Sequence, residues 1–257
     1  MKLKNVTGTL NELAPIQYSE NWDNPGLLIG DEEMEISGIY IALDATSDVI
    51  EAAHEKKAEL ILTHHPLIFH PIRRVSSDNY VGKRVMRIIS CGMALFAMHT
   101  DFDVTCMANE AASRLDLIET KVLEPTLSED FGLGAMGYLK EDLSLKELAE
   151  RTKQAFELDN VSVYGDLGDT IVKVAVLPGS GSSGIDTAFL EGCDVLITGD
   201  IGHHDGTDAL EKGISIIDAG HYGVEKLFTG YMKQYIAKTM PELKVFEDNT
   251  VRKFTVI

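Results

Sequence analysis

An internal repeat constrains the fold of this chain more than any other feature. The stretch AELILTHH at 58–65 corresponds to CDVLITGD at 193–200, and CGMALFAMHTDFD at 91–103 corresponds to KGISIIDAGHYGVE at 212–225. In each stretch an apolar, β-branched strand ends in polar residues, and the turns before the strands also correspond. The repeat therefore predicts two related α/β lobes with a period of roughly 120 residues rather than a solenoid.

The order strand, helix, strand, helix, strand fills each copy. In the first copy we expect strands at 36–44, 59–63 and 93–98, and in the second at 170–178, 194–198 and 214–219. The helix at 46–58 begins with a cap at Thr46 or Ser47. Residues 125–166 add a strand, a helix capped by Ser144 and another strand, and the C-terminal segment adds a helix and a strand that return to the first lobe.

These elements define the predicted fold class and lobes. We expect an α/β protein with an internal duplication, mixed sheets flanked by helices, and a metal site between the lobes. The first lobe is predicted to be discontinuous, comprising 1–124 and 220–257, and the second to comprise 125–219.

Composition and charge limit the classes of partner. A formal net charge of −18 disfavours nucleic acid, because phosphate binding needs a basic surface. The cysteines Cys91, Cys106 and Cys193 form no CxxC motif, which favours reduced thiols. The N-terminal stretch lacks the apolar segment of a secretory signal, and no apolar run is long enough to span a membrane. We therefore expect a cytoplasmic protein that binds neither membranes nor nucleic acid.

The histidines are concentrated where the predicted strands end. Six of the chain's eight histidines lie at or just beyond strand ends: His64, His65, His99, His203, His204 and His221. Ligands of open α/β sheets bind outside the carboxyl ends of the strands. Any one of these rings could be a hydrogen-bonded structural histidine, but the shared position of the set favours a functional site.

Spacing selects a metal-binding set among these residues. Neighbouring side chains diverge, so His64 and His65 can reach two ions about 3.5–4 Å apart more easily than one. His221 and Glu225 are four residues apart, which places them on one face if the chain turns helical there. Asp103 is the corresponding carboxylate of the first copy. These five residues predict a mixed nitrogen and oxygen site for two divalent ions, with zinc, iron or manganese favoured.

Other residues are candidates for supporting roles. His204 and His99 are predicted to act as acid/base groups or as supports of the ligands, and Asp200 lies at an equivalent strand end. The pattern Gly179-x-Gly181-x-x-Gly184 follows a strand and precedes a helix, so it is also a weak candidate for substrate binding.

The motifs ILTHHPLIF, HTDFD, ITGDIGHHD and IIDAGHYGVE, together with NWDNPGLLIG near the start, resemble those of the Nif-three-like family. Members of this family carry the name GTP cyclohydrolase 1 type 2 homolog. The resemblance implies two α/β lobes, a dinuclear metal centre held by residues matching His64, His65, Asp103, His221 and Glu225, and a toroidal homohexamer.

Three functions from different classes remain open on this basis. The first is a metal-dependent hydrolase of a small cytosolic substrate, plausibly a nucleotide, which would open a ring as in GTP cyclohydrolase 1 type 2 by attack of a metal-bound hydroxide. The second is a non-catalytic metal-binding or regulatory oligomer. The third, least favoured, is a nucleotide-cofactor enzyme that uses the glycine loop.

Overall fold

The structure is a computed structural model that describes residues 1–249. The described chain divides into two compact units, which are Met1–Phe102 together with residues 228–249, and Asp103–Leu227. The predicted division points at 124/125 and 219/220 therefore differ from those of the structure. The strand at Ile118–Ser128 pairs within the second sheet, and the backbone of His221 packs against Gly199, so both segments belong to the second unit.

The elements follow the predicted alternation. Up to Phe102 they are α1 (Leu3–Leu13), β1 (Gly26–Ile29), β2 (Gly38–Ala42), α2 (Ser47–Glu55), β3 (Leu60–Thr63), α3 (Tyr80–Ser90), β4 (Ala94–Ala97) and α4 (Thr100–Phe102). Thr46 caps α2 by accepting a hydrogen bond from the backbone N–H of Val49 at 3.2 Å. One of the two predicted caps is thus confirmed.

The second unit opens with a π-helical turn at Asp103–Met107. It continues with α5 (Ala108–Arg114), β5 (Ile118–Ser128), β6 (Phe131–Ser144), α6 (Leu145–Ala155), β7 (Ser162–Tyr164), β8 (Thr170–Ser180), α7 (Ile185–Leu190), β9 (Val195–Gly199), α8 (His203–Lys212), β10 (Ser215–Asp218) and α9 (His221–Glu225). The chain then forms α10 (Leu227–Thr239) and β11 (Lys244–Glu247). Ser144 and Glu147 form a capping box at the start of α6, as the sequence predicted for Ser144.

The first unit's sheet has the strand order β1-β4-β3-β2-β11. Strands β2, β3, β4 and β11 run parallel, and β1 pairs with β4 in the antiparallel direction. Every residue of β2, β3 and β4 is buried, because helices cover both faces of a parallel sheet. The pairing of β11 with β2 confirms that the C-terminal segment completes the first lobe.

The second unit's sheet has the order β5-β6-β8-β9-β10-β7. Strands β8, β9 and β10 are parallel, and β7 pairs with β10 in the antiparallel direction, as β1 does with β4. The predicted α/β fold, with two related lobes and mixed sheets flanked by helices, is confirmed. Within residues 1–249, no helix combines the length and the apolar character needed to cross a membrane.

Two helical glycines offer a test of this packing. Gly8 in α1 has open space where a Cβ would be, so Gly8→Ala is expected to raise the free energy of unfolding by about 0.5–1 kcal/mol. Gly206 in α8 is the matched control, because its Cβ would lie 2.3 Å from the Tyr164 ring. Gly206→Ala should lower stability by roughly 1–3 kcal/mol. Urea unfolding followed by circular dichroism measures both, and a destabilised Gly8→Ala would contradict the helical environment of residue 8.

Candidate metal centre

Three histidine rings of the first unit meet at one edge of its sheet. His64 and His65 follow β3, and His99 follows β4, so the parallel direction of these strands brings the three side chains to the same edge. One ring nitrogen of each lies within 4.8 Å of one nitrogen of the other two, close enough to hold a metal ion together. His64 is buried, while His65 and His99 are partly accessible.

Each of these rings is anchored through its Nδ1 atom. The Nδ1 of His64 lies 2.8 Å from the carbonyl oxygen of Met98, which can only accept a hydrogen bond. The proton therefore resides on Nδ1, and Nε2 carries the lone pair. The Nδ1 of His65 lies 2.9 Å from Asp44 Oδ1 and that of His99 lies 2.8 Å from Asp23 Oδ1. An oxygen acceptor on one ring nitrogen is the usual support of a metal-ligating histidine.

Asp23 is the most firmly held of these acceptors. Its side chain is inaccessible to solvent, and besides His99 it accepts from the backbone N–H of Thr100 at 3.0 Å and from the Thr100 hydroxyl at 2.5 Å. Burial alone would raise the pKa of Asp23, but the hydrogen bonds from His99 and Thr100 outweigh it and lower the pKa to about 2. Asp23 therefore stays ionised and orients the His99 ring.

The neighbouring carboxyl group of Asp101 behaves in the opposite way. Its side chain is buried in the short helix α4, and burial raises its pKa to about 7, with the nearby charge of Asp23 adding to the effect. Sequence reasoning assigned no role to Asp101. These two neighbouring carboxyl groups therefore differ, because Asp23 is ionised near neutral pH whereas Asp101 can carry a proton there.

The second unit carries a histidine and a glutamate at helical spacing. Helix α9 places His221 Nε2 3.0 Å from Glu225 Oε2, so the predicted arrangement of these two residues on one face is confirmed. The Nδ1 of His221 lies 2.8 Å from Asp200 Oδ2, and this leaves Nε2 facing the carboxylate. A lone pair facing a carboxylate oxygen at this distance requires either a proton or a cation between them.

Glycines make room for this pair. A Cβ on Gly199 would lie 2.3 Å from the backbone nitrogen of His221, and a Cβ on Gly179 would lie 2.7 Å from Glu225 Oε1. Asp200 adopts a left-handed backbone conformation, with φ at 56°, which aspartate tolerates better than most residues other than glycine. The tight packing at β9 and β8 therefore positions both His221 and Glu225.

The remaining predicted residues have the following positions. Asp103 opens the π-helical turn at the start of the second unit, a rare geometry that is frequent at functional sites. His203 and His204 lie exposed in the first turn of α8, with ring centroids 5.4 Å apart. Gly181 and Gly184 pack closely on Thr198 and Leu177, respectively, and this packing accounts for the glycine pattern without a ligand. Roles for these residues stay predictions.

Sequence reasoning missed Asp23 and Asp44, although it identified Asp200 as a residue near the ligands. Asp44 is the last residue of the predicted strand 36–44, so its place at a strand end was a usable signal. Asp23 precedes β1 instead. Because β1 is antiparallel to β4, its first residue Gly26 pairs with Ala97, and this pairing brings the chain before β1 to the edge that carries His99.

The sequence profile of the Duf34/NIF3 (NGG1p interacting factor 3) family matches residues 1–252. The chain belongs to the Duf34/NIF3 family. The resemblance of its motifs to this family is thereby confirmed.

Relatives of this NIF3-family protein carry names that suggest an activity. A Clostridium acetobutylicum protein named GTP cyclohydrolase 1 type 2 homolog is 35% identical over 229 residues, covering 88% of this chain and 85% of the relative. A Helicobacter pylori protein named GTP cyclohydrolase 1 type 2 is 33% identical over 230 residues, covering 88% of each chain. The crystal structure of a Bacillus cereus protein related to NIF3 matches with a TM-score of 0.92 at 22% identity, covering 100% of this chain and 99% of the other, and supports the fold alone.

The anchoring of His221 predicts a measurable effect on metal affinity. We expect Asp200→Asn, which suits the left-handed backbone but removes the charge, to weaken Zn²⁺ binding about 10- to 100-fold, as is usual for loss of a carboxylate behind a histidine ligand. Competition with a chromophoric chelator measures the dissociation constant. Asp208→Asn on the exposed face of α8 is the matched control and should leave affinity unchanged. Equal affinities in both variants would show that Asp200 does not support a ligand.

The low pKa of Asp23 predicts a pH dependence of stability. Because the folded-state pKa lies below the ordinary value of 3.8, the unfolded chain binds the proton more tightly. The stabilisation is therefore fully present above pH 4 and is lost as the pH falls toward 2. In metal-free protein, Asp23→Asn should lower the free energy of unfolding by about 2 kcal/mol at pH 7 and flatten its acid dependence. Parallel acid profiles of the two proteins in urea unfolding would rule out this contribution.

Proposed function

We propose that this protein is a metal-dependent hydrolase of a small substrate, most plainly a nucleotide. Two divalent cations would be held by His64, His65, Asp103, His221 and Glu225. The observation that carries the proposal is the shared anchoring of the histidines, whose Nδ1 atoms face oxygen acceptors. That arrangement directs Nε2 lone pairs outward, which is the tautomer that metal binding needs.

The donor set fits hydrolytic metals. Imidazole nitrogens and carboxylate oxygens suit zinc, iron or manganese, whereas soft metals prefer thiolates. Cys106 and Cys193 are buried, and burial raises the pKa of Cys193 to about 11, so its thiolate is disfavoured. The chemistry of the ligands therefore supports a hydrolase in preference to an electron-transfer centre.

Two of the proposed ligands are close in sequence to aromatic residues that lie near His64. Within the first unit the rings of Phe102 and Phe228 are 5.0 Å apart, and both lie near the His64 ring, at 6.3 and 5.3 Å. Asp103 directly follows Phe102, and Glu225 precedes Phe228 by three residues. Chain geometry then keeps the Cα of Asp103 about 3.8 Å from that of Phe102, and the Cα of Glu225 within about 11 Å of that of Phe228.

Bound divalent cations supply a nucleophile from water at neutral pH and stabilise developing negative charge. The protein's own groups then have defined tasks. Asp44 and Asp200 hold the protons on the Nδ1 atoms of His65 and His221 and keep each ring in one orientation. His99, oriented by Asp23, and His204 are the proposed proton acceptors and donors for substrate.

The names of the relatives make GTP the first substrate to test, with hydrolytic opening of the imidazole ring as the reaction. The competing function is a metal-binding or regulatory protein without turnover. Assembly as a homohexamer and a cytoplasmic location stay predictions. Light scattering after size-exclusion chromatography tests the assembly.

Metal content and turnover test the proposal together. Protein purified without chelators should contain two equivalents of divalent metal per chain by plasma mass spectrometry, and should convert GTP or another nucleotide. His64→Ala and Glu225→Ala should each lose metal and reduce turnover by at least the roughly 10- to 100-fold seen for weaker perturbations of metal sites.

His54→Ala provides the matched control, because this histidine is exposed on α2 and should affect neither measurement. Full metal content with no turnover of any nucleotide would favour the non-catalytic function. Turnover that survives in His64→Ala would reject metal-dependent hydrolysis through this site.

A further inference from the structure

Two large aromatic side chains of the first unit are exposed beside one another. Trp22, the chain's single tryptophan, is 58% exposed, and Phe69 is 38% exposed. Their ring centroids are 5.9 Å apart and their planes are inclined by 57°. Isolated exposed apolar residues are common, but a neighbouring pair of aromatic rings beside a polar cluster is typical of ligand sites.

Hydrogen bonds fix the segment that carries Trp22. On one side, the backbone N–H of Glu20 donates to the Thr100 hydroxyl at 2.9 Å. On the other, Asp23 accepts from Thr100 and pairs with His99, and the Asn24 side chain donates to the carbonyl of Ile68 at 2.5 Å. The last bond ties the Trp22 segment to the residue before Phe69. The exposed indole is therefore held in place rather than left free at a loop tip.

The aromatic pair adjoins the histidine cluster. The His99 ring lies 6.1 Å from the Trp22 ring and 6.3 Å from the Phe69 ring, approaching both edge-on. One ring nitrogen of His99 in turn lies within 4.8 Å of one ring nitrogen each of His64 and His65. A molecule resting on the aromatic pair would thus present one edge to the histidines.

We propose that Trp22 and Phe69 form a stacking subsite for a flat heteroaromatic ring of the substrate, of purine size. The inference rests on the proposed function and names the substrate feature that the hydrolase would recognise. A flat ring lying on one of the two inclined faces meets the other ring edge-to-face, and both contacts are favourable for aromatic systems. Stacking also tolerates different bases, because each base has a π-face.

Comparison with another exposed aromatic residue sharpens the assignment. Tyr80 at the start of α3 is 72% exposed, but the guanidinium of Arg84 already covers its ring at 5.3 Å. The Trp22 ring lies beside Phe69 and His99, and hydrogen bonds of Glu20, Asp23 and Asn24 hold the segment around it. Exposure alone therefore does not identify the subsite; the fixed position next to His99 does.

Because Trp22 is the sole tryptophan, its fluorescence reports directly on the subsite. We expect guanosine and GTP to quench the emission of the metal-loaded protein saturably, and ribose 5-phosphate, which lacks the base, to leave it unchanged. Calorimetry on variants supplies an independent measure. Trp22→Leu should raise the dissociation constant of guanosine roughly 5- to 100-fold, the range for loss of one base–aromatic stack.

Conservative and remote variants control this experiment. Trp22→Phe should restore binding to within a few-fold, since it keeps a flat ring, and Phe69→Leu should weaken binding and reduce quenching. Tyr80→Leu, at a more exposed aromatic position on α3, should bind as the parent does. An unchanged dissociation constant in Trp22→Leu would overturn the subsite. The subsite would also be overturned if Trp22 had the emission of a buried indole and this emission shifted on dilution. In that case a second copy of the chain would cover the aromatic pair.

The outcomes separate this inference from the proposed function. Saturable quenching without turnover of any nucleotide would support the stacking subsite and reject the hydrolase. Turnover that depends on His64 but has the same KM in Trp22→Leu would support the hydrolase and reject the subsite.

Discussion

The candidate metal-binding histidines of each unit depend on one repeated interaction, an oxygen acceptor at the Nδ1 atom of the ring. Met98, Asp44, Asp23 and Asp200 provide the acceptors for His64, His65, His99 and His221, respectively. A free imidazole interconverts between tautomers and rotates, whereas an anchored ring presents one lone pair in one direction. The strand arrangement brings the rings and their acceptors together. In the first sheet the carboxyl ends of β2, β3 and β4 and the start of the antiparallel β1 share one edge, and each delivers a ring or an acceptor.

The duplicated lobes use the same strand ends for different tasks. Where β3 is followed by His64 and His65, the aligned positions at the end of β9 are Gly199 and Asp200. A side chain at residue 199 would overlap the backbone at His221, so a histidine there is sterically excluded. Asp200 instead orients His221. Two histidines at one strand end therefore correspond to a glycine and a supporting aspartate at the other.

Much of the fold and part of the site could be predicted from the sequence. The parallel strands were found because each is a short apolar run, and the His221 and Glu225 pair was found because α-helical spacing is a local property. The strand β5 was missed because most of its residues are exposed and it contains Pro125, so only pairing with β6 reveals it. Asp23 was missed because its role depends on the antiparallel direction of the four-residue strand β1. Exposure of Trp22 is likewise a property of the folded chain.

The segment before β1 links two properties of the first unit that the sequence shows as unrelated. Asp23 orients His99 and binds Thr100, while its neighbour Trp22 stands beside the same imidazole. A change that releases Asp23 from Thr100 would therefore move the aromatic ring as well as free the histidine. Residues that share a hydrogen-bond network do not contribute additively. Stacking of a substrate ring on Trp22 and the orientation of the His99 ring should consequently be coupled through this segment. The Asp23 carboxylate, which supports His99, would then also set the position of Trp22 in the aromatic pair.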